Sequence, residues 1–206
     1  MMFRRTIFCL ALVVLMQAGW NPAARASETA SGFVQQLSSQ AIHVLRDDSE
    51  SLAQRETQFR ALLVAGFDLN LIGRFVLGRA WNSADEYQRE SYLRAFGEFI
   101  VRKYSAMLGG YAGETMTVVS EQASGEKDIL VHTRIDRPSG PPIEARWRVR
   151  AQGGAQRIID VTVEGISMAV TQRAEFKSVI QRHGIDGLIQ ILDAQSNKLS
   201  ATAAAN

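Results

Sequence analysis

The sequence predicts an α+β domain in which helices cover one face of a four-stranded antiparallel sheet. Three observations carry that prediction. Apolar residues recur at helical spacing from residue 33 to about 108, alternate with polar ones between 115 and 164, and return to helical spacing up to about 196. The alternating block has one aliphatic face, which must be covered, and the flanking helices are what can cover it. The sole cysteine, Cys9, lies in an apolar leader, so the exported domain has no disulfide and holds together by burial.

The leader comes first. Arg4 and Arg5 precede the apolar run "TIFCLALVVLM" (6–16), and Ala24-Arg25-Ala26 supplies small residues before Ser27. That order reads as a secretory signal peptide spanning 1–26, too short in its apolar part to span a membrane comfortably. Phe8 before Cys9 argues against a lipoprotein cleavage box. The leader holds three arginines and no acid, so the 23 basic and 21 acidic residues of the whole chain become nearly balanced after cleavage. No polybasic footprint for nucleic acid survives. Residues 27–196 are long enough for one domain with a sizeable core.

In the first helix Phe33, Leu37, Ala41, Val44 and Leu45 share a face, until "RDDSE" (46–50) interrupts it and offers Ser49 as the next N-cap. The second helix runs to about Ala65 with Leu52, Phe59, Leu62 and Leu63 inward, and Gly66 ends it. Asp68 caps a short third helix within "FDLNLIGRFVLGRAW" (67–81). Only Asn70, Arg74 and Gly78 form a polar stripe there, so this helix is buried among other elements. "SADE" (83–86) reads as a capping box with Ser83 and Glu86. The long helix after it, about 84–108, sets Tyr92, Phe96, Phe99, Ile100, Tyr104, Met107 and Leu108 on one side.

"GGYAG" (109–113) then introduces the strands, and its glycines suit either a helix-to-strand turn or a hinge. After a first strand at 115–120, Ile129, Val131, Thr133 and Ile135 share the apolar face with Ile143, Ala145, Trp147 and Val149, and with Ile159, Val161 and Val163. The opposite face mixes arginine with glutamate and aspartate and reads as solvated. Turns fall at "SGEK", "RPSGPP" and "QGGA". Two closing helices, about 167–182 and 184–196, precede a frayed tail, 197–206.

A search for chemistry returns little. His43, His132 and His183 have no metal-ligand spacing, and no HExxH, Walker loop or GxGxxG is present. "GISMA" (165–169) misses a nucleophile elbow by Ala169, and Ser167 reads better as an N-cap. Asp160 reads as a solvent-facing strand residue rather than a general base. No catalytic residue, metal site or cofactor is expected.

"FDLNLIGRFVLGRAW", "FGEFIVRKYSAML" (96–108) and "RIIDVTVEGISMAVTQRAEF" (157–176), in this order after a leader, resemble the MlaC/toluene-tolerance family. Those are periplasmic lipid-binding proteins of Gram-negative bacteria, with a hopanoid-associated branch, and the resemblance runs from about 32 to 196. It implies a helical layer on a twisted four-stranded antiparallel sheet with an apolar cavity between them. It also implies a soluble, monomeric carrier moving phospholipid between an outer-membrane lipoprotein complex and an inner-membrane ABC transporter bearing MCE domains.

Combined with the alternation, the expected lipid-binding residues are Phe67, Leu71 and Phe75 from the third helix, and Phe96, Ile100, Tyr104 and Leu108 from the long helix. Val131, Trp147, Val149, Ile159, Val161 and Val163 are expected from the sheet. A hopanoid-like cargo, an isomerase-like pocket enzyme and a protein-only interaction module are the alternatives, because the pattern does not distinguish a cavity from a solid core.

Overall fold

Short polar side chains set the helix boundaries. The computed structural model describes residues 29–47, 49–105 and 113–204; the leader, Met107, Leu108 and Gly109 to Ala112 of the glycine-rich segment lie outside these. The Thr29 hydroxyl accepts the Gly32 amide at 3.0 Å and starts α1 (Ala30–Arg46). α2 (Leu52–Gly66) is capped by Ser51, not Ser49. Ser51 and Gln54 exchange bonds, the Ser51 amide donating to Oε1 at 3.0 Å and the Gln54 amide to Oγ at 3.3 Å. The Ser49 amide instead donates to Asp47 Oδ1 in the preceding turn.

α3 (Leu69–Leu77) starts where Asp68 Oδ1 accepts the Leu71 amide at 2.9 Å and stops at Gly78, whose φ of 63° favours glycine. Gly73 allows α3 to lie close to its neighbour, since a Cβ there would fall 2.9 Å from the side chains of Leu93 and Phe96. A single turn, α4 (Ala80–Ser83), consumes the serine expected to cap the long helix. The cap is made two residues later by Asp85 and Gln88, whose amides and side chains bond reciprocally at 2.8 and 3.3 Å ahead of α5 (Glu86–Ser105).

The sheet is a meander of β1 (Thr115–Ser124), β2 (Asp128–Asp136), β3 (Ile143–Gln152) and β4 (Ala155–Val163), joined by a two-residue β5 (Ile166–Ser167). All neighbours pair antiparallel. Two bulges break the alternation. Val118 faces Thr133 while Ser120 faces His132, which leaves Val119 unpaired and 62% exposed. Arg148 faces Asp160 while Val149 faces Ile158, which leaves Ile159 unpaired. An extra residue moves the side chains beyond it to the other face. Ile158 therefore joins the apolar face, fully buried, in place of Ile159.

α6 (Met168–Ala204) carries both predicted C-terminal helices, separated by a non-helical Gly184 at φ 69°. Its second half continues as helix to Ala204 where the sequence suggests fraying. Two cores result. One joins α3, α5 and α6 through Val76, Leu77, Tyr92, Phe96, Phe99, Phe176, Leu188 and Leu192. The other seats Ala30 and Val34 of α1 on Val131, Val149 and Ile158 of the sheet.

Candidate functional site

Between those two cores the apolar layers do not meet. They leave between them a half-open cavity of about 750 Å³. Helical spacing explains its walls: Leu37, Ala41 and Leu45 recur every fourth residue on α1, and Phe96, Ile100 and Tyr104 do so on α5. Phe59, Leu62 and Leu63 of α2 and Leu69, Ile72 and Val76 of α3 complete the helical side. Trp147, Ile158, Val161 and Val163 form the sheet side, with Met168 and Ala169 at the start of α6.

The indole of Trp147 is fixed in orientation. Its Nε1–H donates to Thr133 Oγ1 at 2.9 Å, and that hydroxyl donates to the Ala145 carbonyl at 3.3 Å. Burial pushes the Tyr104 phenol above its ordinary pKa, with the Glu175 charge adding to the shift. It therefore stays neutral at physiological pH and presents a ring rather than a charge.

Polar groups gather where β4, β5 and α6 meet. Asp160 does not face free solvent: it lines the cavity and caps α6. Its carboxylate accepts the Ser167 hydroxyl at 2.6 Å and the Ala169 amide at 3.1 Å, while Ser167 Oγ accepts the Val170 amide at 3.1 Å. Ser167 is thus the N-cap its position suggested, and both groups are engaged in fold-making bonds rather than poised for catalysis. Glu164 and Ile166, both exposed, lie at the cavity's rim with Gln172. Glu164 Oε1 accepts the Glu144 amide at 2.7 Å across the sheet edge.

Of the residues expected to bind lipid, Phe67, Phe96, Ile100, Tyr104, Trp147, Val161 and Val163 line the cavity. Val131 and Val149 are on the right face but lie in the packed core under α1. Ile159 is displaced by the bulge, and Ile158 takes its place. On α3 the cavity side is Leu69, Ile72 and Val76, one position off Leu71 and Phe75. Phe75 is 43% exposed, with the Arg173 guanidinium 5.0 Å from its ring centre. Leu108 lies outside the described residues.

The α1 and α2 walls were not singled out from the sequence. Their apolar faces were legible, but nothing in a helical stripe tells a cavity wall from a core. His43 and His183 are exposed, and part-buried His132 sits between Ser120 and Arg146 in the sheet register. Among the described residues no three metal-capable side chains cluster, and no helix is long and apolar enough to cross a membrane.

Comparison with known proteins fits this geometry. A curated relative, the intermembrane phospholipid transport system binding protein MlaC of Haemophilus influenzae, is 29% identical over 126 residues, covering 59% of this chain. The chain spans the same share, 59%, of that relative's length. A solved structure of a Ralstonia solanacearum phospholipid-binding protein in complex with a phospholipid superposes with a TM-score of 0.72 at 21% identity, over 83% of this chain and 98% of that one. At that identity the likeness establishes the shared fold. The family model described as MlaC protein matches residues 35–194, nearly the whole described chain, and the chain therefore belongs to the MlaC family.

Proposed function

We propose that the protein is a periplasmic lipid carrier that takes up the acyl chains of a phospholipid in the cavity between its helices and its sheet. The observation that carries this reading is the cavity itself: about 750 Å³ walled by aliphatic and aromatic side chains from every layer of the fold. Withdrawing a chain of some sixteen carbons from a bilayer costs on the order of 12 kcal/mol, at ~0.8 kcal/mol per CH₂. A surface groove recovers a fraction of that, whereas enclosure between two apolar layers recovers most of it. The lipid contacts are Phe67, Phe96, Ile100, Tyr104, Trp147, Val161 and Val163, joined by the α1 and α2 residues that complete the wall. The headgroup stays at the polar rim near Glu164 and Gln172.

In this reading the leader directs export and is removed, and the mature protein travels as a monomer with lipid as cargo and no cofactor. Its exchange partners are an inner-membrane ABC transporter with MCE domains and an outer-membrane lipoprotein complex, as the family resemblance implies. Organic extraction of the purified protein followed by mass spectrometry tests the proposal. Stoichiometric phospholipid is the expected result. A polycyclic lipid would change the cargo, and a lipid-free protein that takes up none from vesicles would overturn the reading.

A further inference from the structure

α2 is held to the molecule differently from the other long helices. Gly66, at its C-terminal end, is its only fully buried residue, because Phe59, Leu62 and Leu63 face the cavity rather than a packed core. That end is fastened to the sheet: Phe67 bridges Ile158, and the Asp68 amide donates to the Ile158 carbonyl at 3.0 Å. Along its length α2 lies beside α1, and its fastening to α5 is electrostatic. Glu56 and Arg60, one turn apart, meet Glu98 and Arg102, one turn apart on α5.

The Arg60 guanidinium grips Glu98 with two prongs, Nη1 to Oε2 at 2.8 Å and Nη2 to Oε1 at 3.0 Å. Arg102 Nε donates to Glu98 Oε1 at 2.7 Å, and its Nη1 donates to Glu56 Oε1 at 3.1 Å. Around α5, Glu98 and Arg102 lie away from the cavity-facing Phe96, Ile100 and Tyr104. The clamp therefore sits outside the apolar seal, its four side chains between 20% and 38% exposed. The Arg60 hydrogen bonds, aided by those of Arg102, hold the Glu98 carboxyl at a pKa of about 2, so this carboxylate is charged at neutral pH.

We propose that Glu56, Arg60, Glu98 and Arg102 set how fast cargo leaves, with α2 as the movable wall of the cavity, pivoting at Phe67–Asp68. This rests on the lipid-carrier reading of the cavity. Swinging α2 outward gives up contacts with lipid and with the neighbouring α1, including the Arg55 hydrogen bond to the Leu45 carbonyl at 3.3 Å, and one charged network, but no interdigitated core. Water-accessible ion pairs suit such a wall, because each contributes little and salt screens it, while the two-pronged geometry returns the helix to one place.

The test uses the full mature protein loaded with a fluorescent phospholipid and mixed with excess phosphatidylcholine vesicles. Release is followed for the wild type, Glu98→Gln and the milder Arg60→Lys, at low and high salt. Glu98→Gln is expected to release about five- to tenfold faster, as loss of a small charged network implies, and Arg60→Lys to fall between. Raising salt should speed the wild type more than Glu98→Gln, which keeps only the Arg102–Glu56 pair across α2 and α5. Amide hydrogen exchange over 52–65 should rise in Glu98→Gln while that of α6 does not. Equal release rates in loaded wild type and Glu98→Gln, whatever their melting temperatures, would overturn the clamp alone. A wild type that accepts no lipid in the loading step would overturn the carrier reading on which the clamp depends.

Discussion

The α3–α5–α6 core and the α1–α2 wall have similar apolar content and opposite character. In the first, Phe176 of α6 meets Phe96 edge-on at 6.2 Å and Tyr92 at 6.4 Å, Tyr92 stacks on Phe96 at 5.7 Å, and the Tyr92 hydroxyl donates to the Gly73 carbonyl at 3.0 Å. In the second, Phe59, Leu62 and Leu63 look across a cavity and the helix is held from behind by arginine–carboxylate contacts. The difference lies in what stands opposite each stripe. A glycine-permitted close approach lets the first set interdigitate, whereas α2 and the later turns of α1, beyond the Ala30–Val34 end that packs on the sheet, face the cavity.

That contrast can be broken at graded strength. Val131→Glu should have the largest effect. Val131 is fully buried beneath α1, so an unpaired carboxylate there costs several kcal/mol, and circular dichroism should show a largely unfolded chain. Phe176→Ala follows, with a loss of about 3–5 kcal/mol in urea denaturation, because it leaves a hole among Tyr92, Phe96 and Phe99.

Val161→Glu should behave unlike Val131→Glu although both sit on the same sheet face. Val161 borders the cavity, so the protein should fold with near-normal spectra yet lose its copurified lipid, as mass spectrometry would show. A folded variant with full lipid load would remove Val161 from the binding wall. Asp160→Asn should cost about 1 kcal/mol of stability through the weakened α6 cap and leave lipid binding intact.

The smallest effect is expected from acid. The Glu98 pKa falls from 4.5 to about 2 on folding, chiefly through its Arg60 hydrogen bonds. Its contribution to stability is therefore complete above pH ~4.5 and lost as the pH drops toward 2. The melting temperature of the wild type should decline more than that of Glu98→Gln across that window.

Much of this architecture was legible in the sequence because periodicity reports which face is apolar. The strand block, the Asp68 cap and the Gly78 stop follow from local chemistry. The misplacements have local causes too. A bulge is one inserted residue with no compositional mark, so alternation carried Ile159 onto the face that Ile158 occupies. On α3, whose apolar residues go nearly all round, the pattern does not fix which of Leu71 and Ile72 looks inward. The cap positions near Ser49 and Ser83 shifted by two residues because several short polar side chains compete there, and Asp47 and Asp85 decide the outcome. The cavity itself depends on the distance between layers, which no stripe encodes.

The Phe67–Ile158 bridge also closes an edge. β5 covers only Thr162 and Val163 of β4, and without the bridge and the Asp68 bond the middle of β4 would present unpaired backbone to any passing strand. At the opposite edge, the Val119 bulge breaks the ten-residue β1, and the Glu121 carboxylate accepts the Ser31 amide of α1 at 2.9 Å. Interrupted and charged edges resist edge-to-edge pairing. A fold that carries an apolar hollow and only one cysteine in its whole chain thus has both edges of its sheet guarded against pairing with a second copy.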